Sequence, residues 1–411
     1  LLMLTAFLHV HAQLDIDAHL RLRGEFRDGY QKLATEGSNP ATLVSQRTRI
    51  SFVYANPLLK VRITPQDVRL WGDQTRMNNG VGDNPSLDVF EAFAEVKLHS
   101  KIWLSAGRQQ LVYDNRRILG DRNWNQNGIS YDAFIIKAKP GKFDLHAGTT
   151  WNTLTESLSE NFYPETRIKS INYLWVNRKF DSNVSVSMLH VSSGVTRSDS
   201  SNTLYFKHTT GLYGEYKGEL LRTWGNVYYQ CGRNQKGNNV SAYLIDADVS
   251  FFTGRLTPGI GISYLSGNSR LPSKNHADNL FDVLYGNRHR YFGFLDYFRI
   301  FAKDTKQGGL ADYYCWLDYR FNDRLSVRNT WHYFSLAATN PTTPAKRELG
   351  TENDFILKYR FANFGELEIG HCFFLPTASL RELQSVENSK FSHFVYAQLT
   401  LTPKLFSQNL H

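Results

Sequence analysis

From Gln13 onward the chain alternates apolar and polar residues with period two, in segments too long for an ordinary soluble strand. In the first segment Leu14, Ile16, Ala18, Leu20, Leu22 and Phe26 share one parity, and Asp15, Asp17, His19, Arg21, Arg23 and Glu25 share the other. Strand side chains point to opposite faces in turn, so this run has one apolar face and one charged face. Soluble strands commonly span about five or six residues, whereas about ten residues at a tilt cross a bilayer. The pattern recurs in Val44 to Ala55, with Arg47, Arg49 and Ser51 on one side and Thr48, Ile50, Phe52 and Tyr54 on the other. Similar segments continue to Phe391–Thr402, making about 18 strands in all.

The connections fall into two kinds. Tight turns such as Asn56-Pro57, Pro140-Gly141, Asp181-Ser182, Gly254-Arg255 and Asn322-Asp323 follow the even-numbered segments. Long polar loops follow most odd-numbered ones, among them Asp28 to Thr42, Gly72 to Leu87, Asp114 to Gly128 and Asn268 to Gly309. Outer-membrane barrels segregate loop lengths in this way, with the short turns periplasmic and the long loops extracellular. Hydrocarbon offers no partner for an open sheet edge, so such a sheet has to close. The expected fold is all-β: one antiparallel meander barrel over residues 13–411, in the outer membrane of a bacterial cell. Aromatic residues near segment ends (Phe26, Tyr54, Trp71, Trp103, Tyr228, Tyr229, Tyr359 and Phe361) are expected to form the interfacial girdles. The parity break at Ile63-Thr64-Pro65 predicts a bulge in the third strand, because proline has no N–H for the ladder.

Composition excludes the competing classes. A mean hydropathy of −0.41 argues against a bundle of membrane helices. Residues 1–12 have the apolar run and the small residues, Val10 and Ala12, of a partial secretory signal peptide. Three cysteines, Cys231, Cys315 and Cys372, are odd in number and widely spaced, which suits packing better than a disulfide framework.

With the apolar parity toward lipid, the other parity lines a lumen. Arg21, Arg23, Arg47, Arg49, Arg62, Arg69 and Lys137 then point inward, interspersed with Asp67, Glu91, Asp132 and Glu352. The chain carries 47 Lys+Arg against 38 Asp+Glu, a formal charge of +9, and basic residues concentrate in the first three strands. A low-dielectric wall focuses the field of such a cluster and enriches anions, and a guanidinium grips a carboxylate through two parallel hydrogen bonds. The function expected is a channel for anionic, carboxylated molecules. The bland alternative is a network of mutually neutralised pairs that merely fills the lumen. If the cluster selects, replacing Arg47 and Arg49 by alanine reduces anion preference in single-channel recordings.

Several stretches, in their order along the chain, bear on the family: Gln66-Asp67-Val68-Arg69-Leu70-Trp71-Gly72, Ala106-Gly107-Arg108-Gln109 and Tyr264-Leu265-Ser266-Gly267. Others are Asp282-Val283-Leu284-Tyr285-Gly286, Gly293-Phe294-Leu295-Asp296-Tyr297-Phe298 and Leu349-Gly350-Thr351-Glu352. Together they resemble the alginate-export family of bacterial outer-membrane proteins. The resemblance implies an eighteen-stranded barrel with an arginine-rich constriction through which a polyuronate leaves the cell, and loops that fold over the pore as gates. It also implies that Arg69, Arg108, Asp67 and Glu352 are lumen residues. The partners implied are an anionic polysaccharide or a small anionic solute, outer-membrane lipid and, for export, periplasmic components; no nucleic acid is expected. A general or small-anion uptake porin is the alternative.

An outer-membrane surface enzyme is a third reading. The GxSxG, HExxH, P-loop and CxxC signatures are missing from the sequence, so no catalytic residue, metal or cofactor is expected. Asn268 to Gly309 is too long for a simple connection, and Leu284 to Phe298 within it is rich in aromatic residues and contains Arg288, His289 and Arg290. It is expected to fold into the mouth or lumen and narrow it. Deleting Lys274 to Arg290 then raises single-channel conductance.

Overall fold

The computed structural model describes residues 12–72, 87–159 and 162–410. The expected signal segment, apart from Ala12, and the interior of the Gly72–Leu87 loop lie outside them. Among the described residues nineteen strands form one antiparallel sheet that closes on itself. Strand β1 (Ala12–Asp28) pairs with β2 (Ala41–Ala55) on one side and with β18 (Ser392–Leu401) and β19 (Lys404–Leu410) on the other. β18 and β19 lie in line along β1, separated at Thr402-Pro403, so the barrel has eighteen staves.

Asparagine and aspartate make the tight turns. Asn56 Oδ1 accepts from the amides of Leu58 (2.9 Å) and Leu59 (2.7 Å), and Asn322 Oδ1 does the same for Arg324 and Leu325. Asp181 repeats the device with Asn183 and Val184. A short side chain that accepts from the backbone two and three residues on holds each reversal, which is why the sequence marks these sites so clearly.

The parity rule holds around the wall. In β1 and β2, Arg21, Arg23, Glu25, Ser45 and Arg47 are buried inward, while Ile50 and Phe52 are exposed outward. Trp71, Tyr229, Tyr359 and Phe361 are exposed as girdle residues should be. Tyr228 is not: it has the inward parity of β11 (Leu221–Arg233) and is 1% exposed. Trp103 also shares the inward parity of Ser105 and Gln109, with Lys97 over its ring.

The bulge expected in the third strand lies across the ladder instead. β3 (Leu59–Leu70) keeps its register with β2, but against β4 (Leu87–His99) Thr64 pairs with Glu91 and Pro65 with Val89. Phe90 is the extra residue. Pro65 has no N–H to give, so the neighbouring strand buckles, and Phe90 and Glu91 both turn inward and are buried.

The hydrophobic core sits inside the barrel. Residues 110–130, which join β5 (Ile102–Gln109) to β6 (Tyr131–Ala138), fold into the lumen, as do residues 266–309 between β13 (Leu256–Leu265) and β14 (Leu310–Arg320). Leu111, Ile118 and Leu119 of the first loop and Phe281, Val283, Leu295, Tyr297 and Phe298 of the second are buried. They pack on inward wall residues Val191, Leu244, Phe334, Phe374 and Phe394. Each large side chain so buried contributes about 1.5–3 kcal/mol, enough in sum to hold two long loops off the solvent. The longer loop contains a one-turn helix, α1 (Phe301–Asp304), and α2 (Ala378–Gln384), after β17 (Gly365–Pro376), packs at the same end.

Arg117 pins the first loop to the wall. Its guanidinium meets Asp246 of β12 (Asn239–Phe251) at 2.8 Å, both side chains are fully buried, and the rings of Tyr291 and Phe292 flank it at 4.4 and 4.6 Å. Arg117→Ala strands a buried carboxylate, a change expected to cost about 3–5 kcal/mol and to lower the urea midpoint. Pairing Arg117→Met with Asp246→Leu should recover most of that loss.

Candidate functional site

The basic cluster of the first strands grips a loop. Arg21 donates to the carbonyls of Asn123 (2.6 Å), Trp124 (3.3 Å) and Asn125 (3.1 Å) and to Gln126 Oε1 (2.8 Å). Arg23 donates to Trp124 O at 3.0 Å and stacks 3.9 Å over its ring, while Arg47 reaches Asn123 Oδ1 at 3.0 Å. Arg49 donates to Asn127 O (2.9 Å) and lies over the ring of Phe90. Like-charged side chains this close repel one another, and the converging carbonyl dipoles of residues 123–127 supply the compensating negative ends. A guanidinium bonded in this way has few donors left for a solute.

The remaining lumen candidates are mostly paired. Arg62 meets Glu91 at 3.2 Å, and Lys137 meets Glu95. Glu352, on β16 (Glu348–Ala362), is fully buried beneath the long loop and accepts from the amide of Leu295 at 2.7 Å. Asp354, two residues on, accepts from Phe294 N at 3.2 Å.

Four of the residues expected in the lumen are placed on the opposite face. Thr64 and Gln66 of β3 are buried inward, so Asp67 and Arg69 take the outward parity, opposite Thr48 and Gln46. They bond each other through two contacts of 2.7 Å. Arg108 sits between inward Gly107 and Gln109, and Asp132 shares its parity with exposed Phe134 and Ile136. Arg108 and Asp132 pair outside at 3.0 Å through both oxygens. Strict alternation decides this: Asp132 and Lys137 have opposite parity on one unbulged strand, so both cannot face inward.

The two inward loops form one body. Tyr285 N donates to Ile118 O (3.1 Å) and Asn287 N to Arg116 O (3.0 Å), while Asn287 Oδ1 accepts from Arg122 N at 2.7 Å. At Gly286 a Cβ would lie 2.0 Å from Arg117 O, so only glycine permits the approach. Asp282 begins the same stretch and receives Lys207 Nζ at 3.0 Å. Trp124 stacks on His289 with ring centroids 3.7 Å apart, and His289 meets Asp296 at 2.9 Å. Burial alone would raise the Asp296 carboxyl, but His289 and the Tyr30 hydroxyl (2.6 Å) more than offset it and hold it below the ordinary value. The long loop therefore folds into the lumen as expected, and the loop at 110–130 folds in beside it.

Beside this body lies a cavity of about 1000 Å3, against the wall from β11 to β17. Nine basic residues line it, eight of them arginines, against five carboxylates, giving a formal excess of +4 with histidines neutral. Lys358 pairs with Glu368 (2.8 Å) and Arg328 with Asp318 (3.4 Å). Arg222, Arg255, Arg290 and Arg320 have no carboxylate within salt-bridge distance among the described residues. Arg320 N donates to Arg255 O at 2.8 Å, placing these two side by side at the short-turn end. Trp224, Tyr314 and Trp316 line the same space, with Arg328 4.0 Å over Trp316. Sequence reading placed Arg290 in the inward-folding loop but missed Arg222, Arg255 and Arg320; the inward even-numbered parity of Arg222 and Arg320 was the available signal.

If the arginine grip holds the first loop in place, Arg21→Ala combined with Arg47→Ala frees residues 123–127. Single-channel conductance should rise and become noisier while the barrel stays folded.

A family model described as alginate export matches residues 12–340. No curated protein matches the chain. Among solved structures, Acinetobacter baumannii OccAB1 aligns with a TM-score of 0.67 at 12% identity, covering 96% of this chain and 97% of that one. Pseudomonas aeruginosa OpdK with vanillate gives 0.61 at 13% identity, covering 96% and 99%. Acinetobacter baumannii OccAB2 gives 0.61 at 14% identity, covering 96% and 98%. These likenesses concern the fold; with the family match over most of the chain, the closed eighteen-stave barrel and its inward loops, they mean that this chain belongs to the alginate-export family of bacterial outer-membrane β-barrel proteins.

Proposed function

We propose that the protein is a channel whose electropositive lumen passes anionic, carboxylated saccharides, including an alginate-like polyuronate moving outward. The observation that carries this reading is the set of arginines without acid partners around the cavity, not the cluster on the first three strands. Arg222, Arg255, Arg290 and Arg320 present donors to open space inside a low-dielectric wall, where their field is focused. Trp224 and Trp316 beside them offer flat apolar surface to a sugar ring, while a guanidinium fits a carboxylate through two bonds. Membership of the alginate-export family supports a uronate as cargo.

Uptake of a small anion is the second reading. The packed loops favour it, since they leave a confined cavity beside them, and OpdK, a barrel of the same fold, was solved with vanillate, a small carboxylate. The same measurement separates the two. With Arg255, Arg290 and Arg320 replaced by alanine, the anion-to-cation permeability ratio in planar bilayers should fall by about tenfold, the low end of electrostatic focusing. Block of chloride current by oligouronate but not by monouronate supports the saccharide; block by small carboxylates alone supports uptake. A cation-selective wild-type pore would overturn both.

A further inference from the structure

The wall around the arginine cavity dries out in one direction. On β14 the inward residues, taken upward from the short-turn end, are exposed Arg320, half-buried Asp318, Trp316 and Tyr314, and fully buried Asp312. β15 (Leu325–Ser335) runs from exposed Arg328 through half-buried Thr330 to buried His332 and fully buried Phe334. β16 runs from exposed Lys358 through buried Ile356 and Asp354 to fully buried Glu352. Phe334 is opposite Asp312, and His332 is opposite Glu352, so the three strands lose water together.

Beyond that level ring packs against ring. Phe334 stacks on Phe374 of β17 with centroids 6.0 Å apart, Phe298 of the long loop meets Phe334 at 4.9 Å, and Tyr297 meets Phe374 at 5.0 Å. All four rings are fully buried. A charge carried through such a layer loses its water and gains no partner in exchange. The other end of the cavity is wet: Arg222, Arg255 and Arg320 are exposed beside the short turns. Gly259 and Gly261 of β13 keep the middle clear, because the rings of Trp316 and Tyr314 lie against the wall where a Cβ would stand 2.2 and 2.3 Å from them. Short turns mark the periplasmic side of such a barrel.

We propose that this cavity is a loading port for the periplasm. A carboxylated saccharide enters it from the short-turn end alone and sets its acid groups on Arg222, Arg255 and Arg320, while the layer of Tyr297, Phe298, Phe334 and Phe374 seals it from the outside. The inference rests on the channel reading above and adds the side from which cargo is taken. A solute arriving from outside meets apolar rings first. One arriving from the periplasm meets exposed guanidiniums whose field the wall focuses. Two of the sealing rings, Phe334 and Phe374, belong to strands, and two, Tyr297 and Phe298, belong to the long loop. Release to the outside therefore requires the loop to leave the wall.

The test puts Thr330→Cys, which lines the cavity below the seal, into the full-length protein in the outer membrane of cells lacking general porins. A small anionic thiosulfonate is added to intact cells or to outer-membrane fragments open on both faces, and protein without the new thiol sets the background from Cys231, Cys315 and Cys372. Intact cells should label at least about tenfold more slowly than fragments, because the charge has to cross the apolar layer. Ser200→Cys, exposed on the loop side, should label equally in both. Trigalacturonate at about ten times its dissociation constant should slow labelling of fragments about tenfold. Arg255→Ala with Arg320→Ala should abolish that protection while labelling continues. Phe298→Ala with Phe334→Ala should bring intact cells to the rate of fragments. Equal labelling of Thr330→Cys in intact cells and fragments overturns the sealed port, whatever trigalacturonate does; so does a difference that survives loss of both phenylalanines. One-sided labelling without protection instead removes the anionic-saccharide reading on which the port rests.

Discussion

Every peptide group that meets hydrocarbon must find its partner inside the protein, and the rest of the molecule follows from that obligation. It forces the sheet to close, and closure creates an interior. Once the apolar parity has been spent on lipid, the interior inherits the charged one. An interior lined with Arg21, Arg23, Arg47 and Arg49 must in turn satisfy their donors, and the chain does so with its own carbonyls at residues 123–127. The constriction is thus a by-product of solving the wall's polar demands with a loop rather than with water alone.

Charge in the lumen consequently divides into two populations. Arginines of the first strands are structural, because their donors are committed to the loop that narrows the passage. Those around the cavity on the far side, Arg222, Arg255, Arg290 and Arg320, retain donors facing open space. A count of basic residues merges the two, and only the distances separate them.

Much of the fold was legible because period two and the Asn and Asp turns are local signals. Asn56, Asp181 and Asn322 each close a turn with their own side chain, and a sequence displays that directly. The site was less legible for two physical reasons. A bulge expected in β3 flips the parity after Pro65 and turns Asp67 and Arg69 inward, but the extra residue is Phe90 of β4, so β3 keeps its alternation and Gln66 faces in; a motif carries no parity, so Arg108 followed its motif into the lumen although Gln109 occupies the inward face. Residues 110–130 are polar enough to read as a solvent loop; their polar groups are satisfied by an equally polar wall, a match between segments about a hundred residues apart. The inward apolar patch of Leu244, Phe334, Phe374 and Phe394 was the overlooked sign that something apolar had to cover it.

The close approach of Gly286 to Arg117 also bears on how the molecule is built. Each inward loop supplies the surface on which the other rests, across some 165 residues of chain, and both lean on staves from opposite sides of the barrel. Neither loop has its resting place until the wall around it exists. The narrowing is therefore a property of the closed wall and both loops together, and neither loop holds it alone.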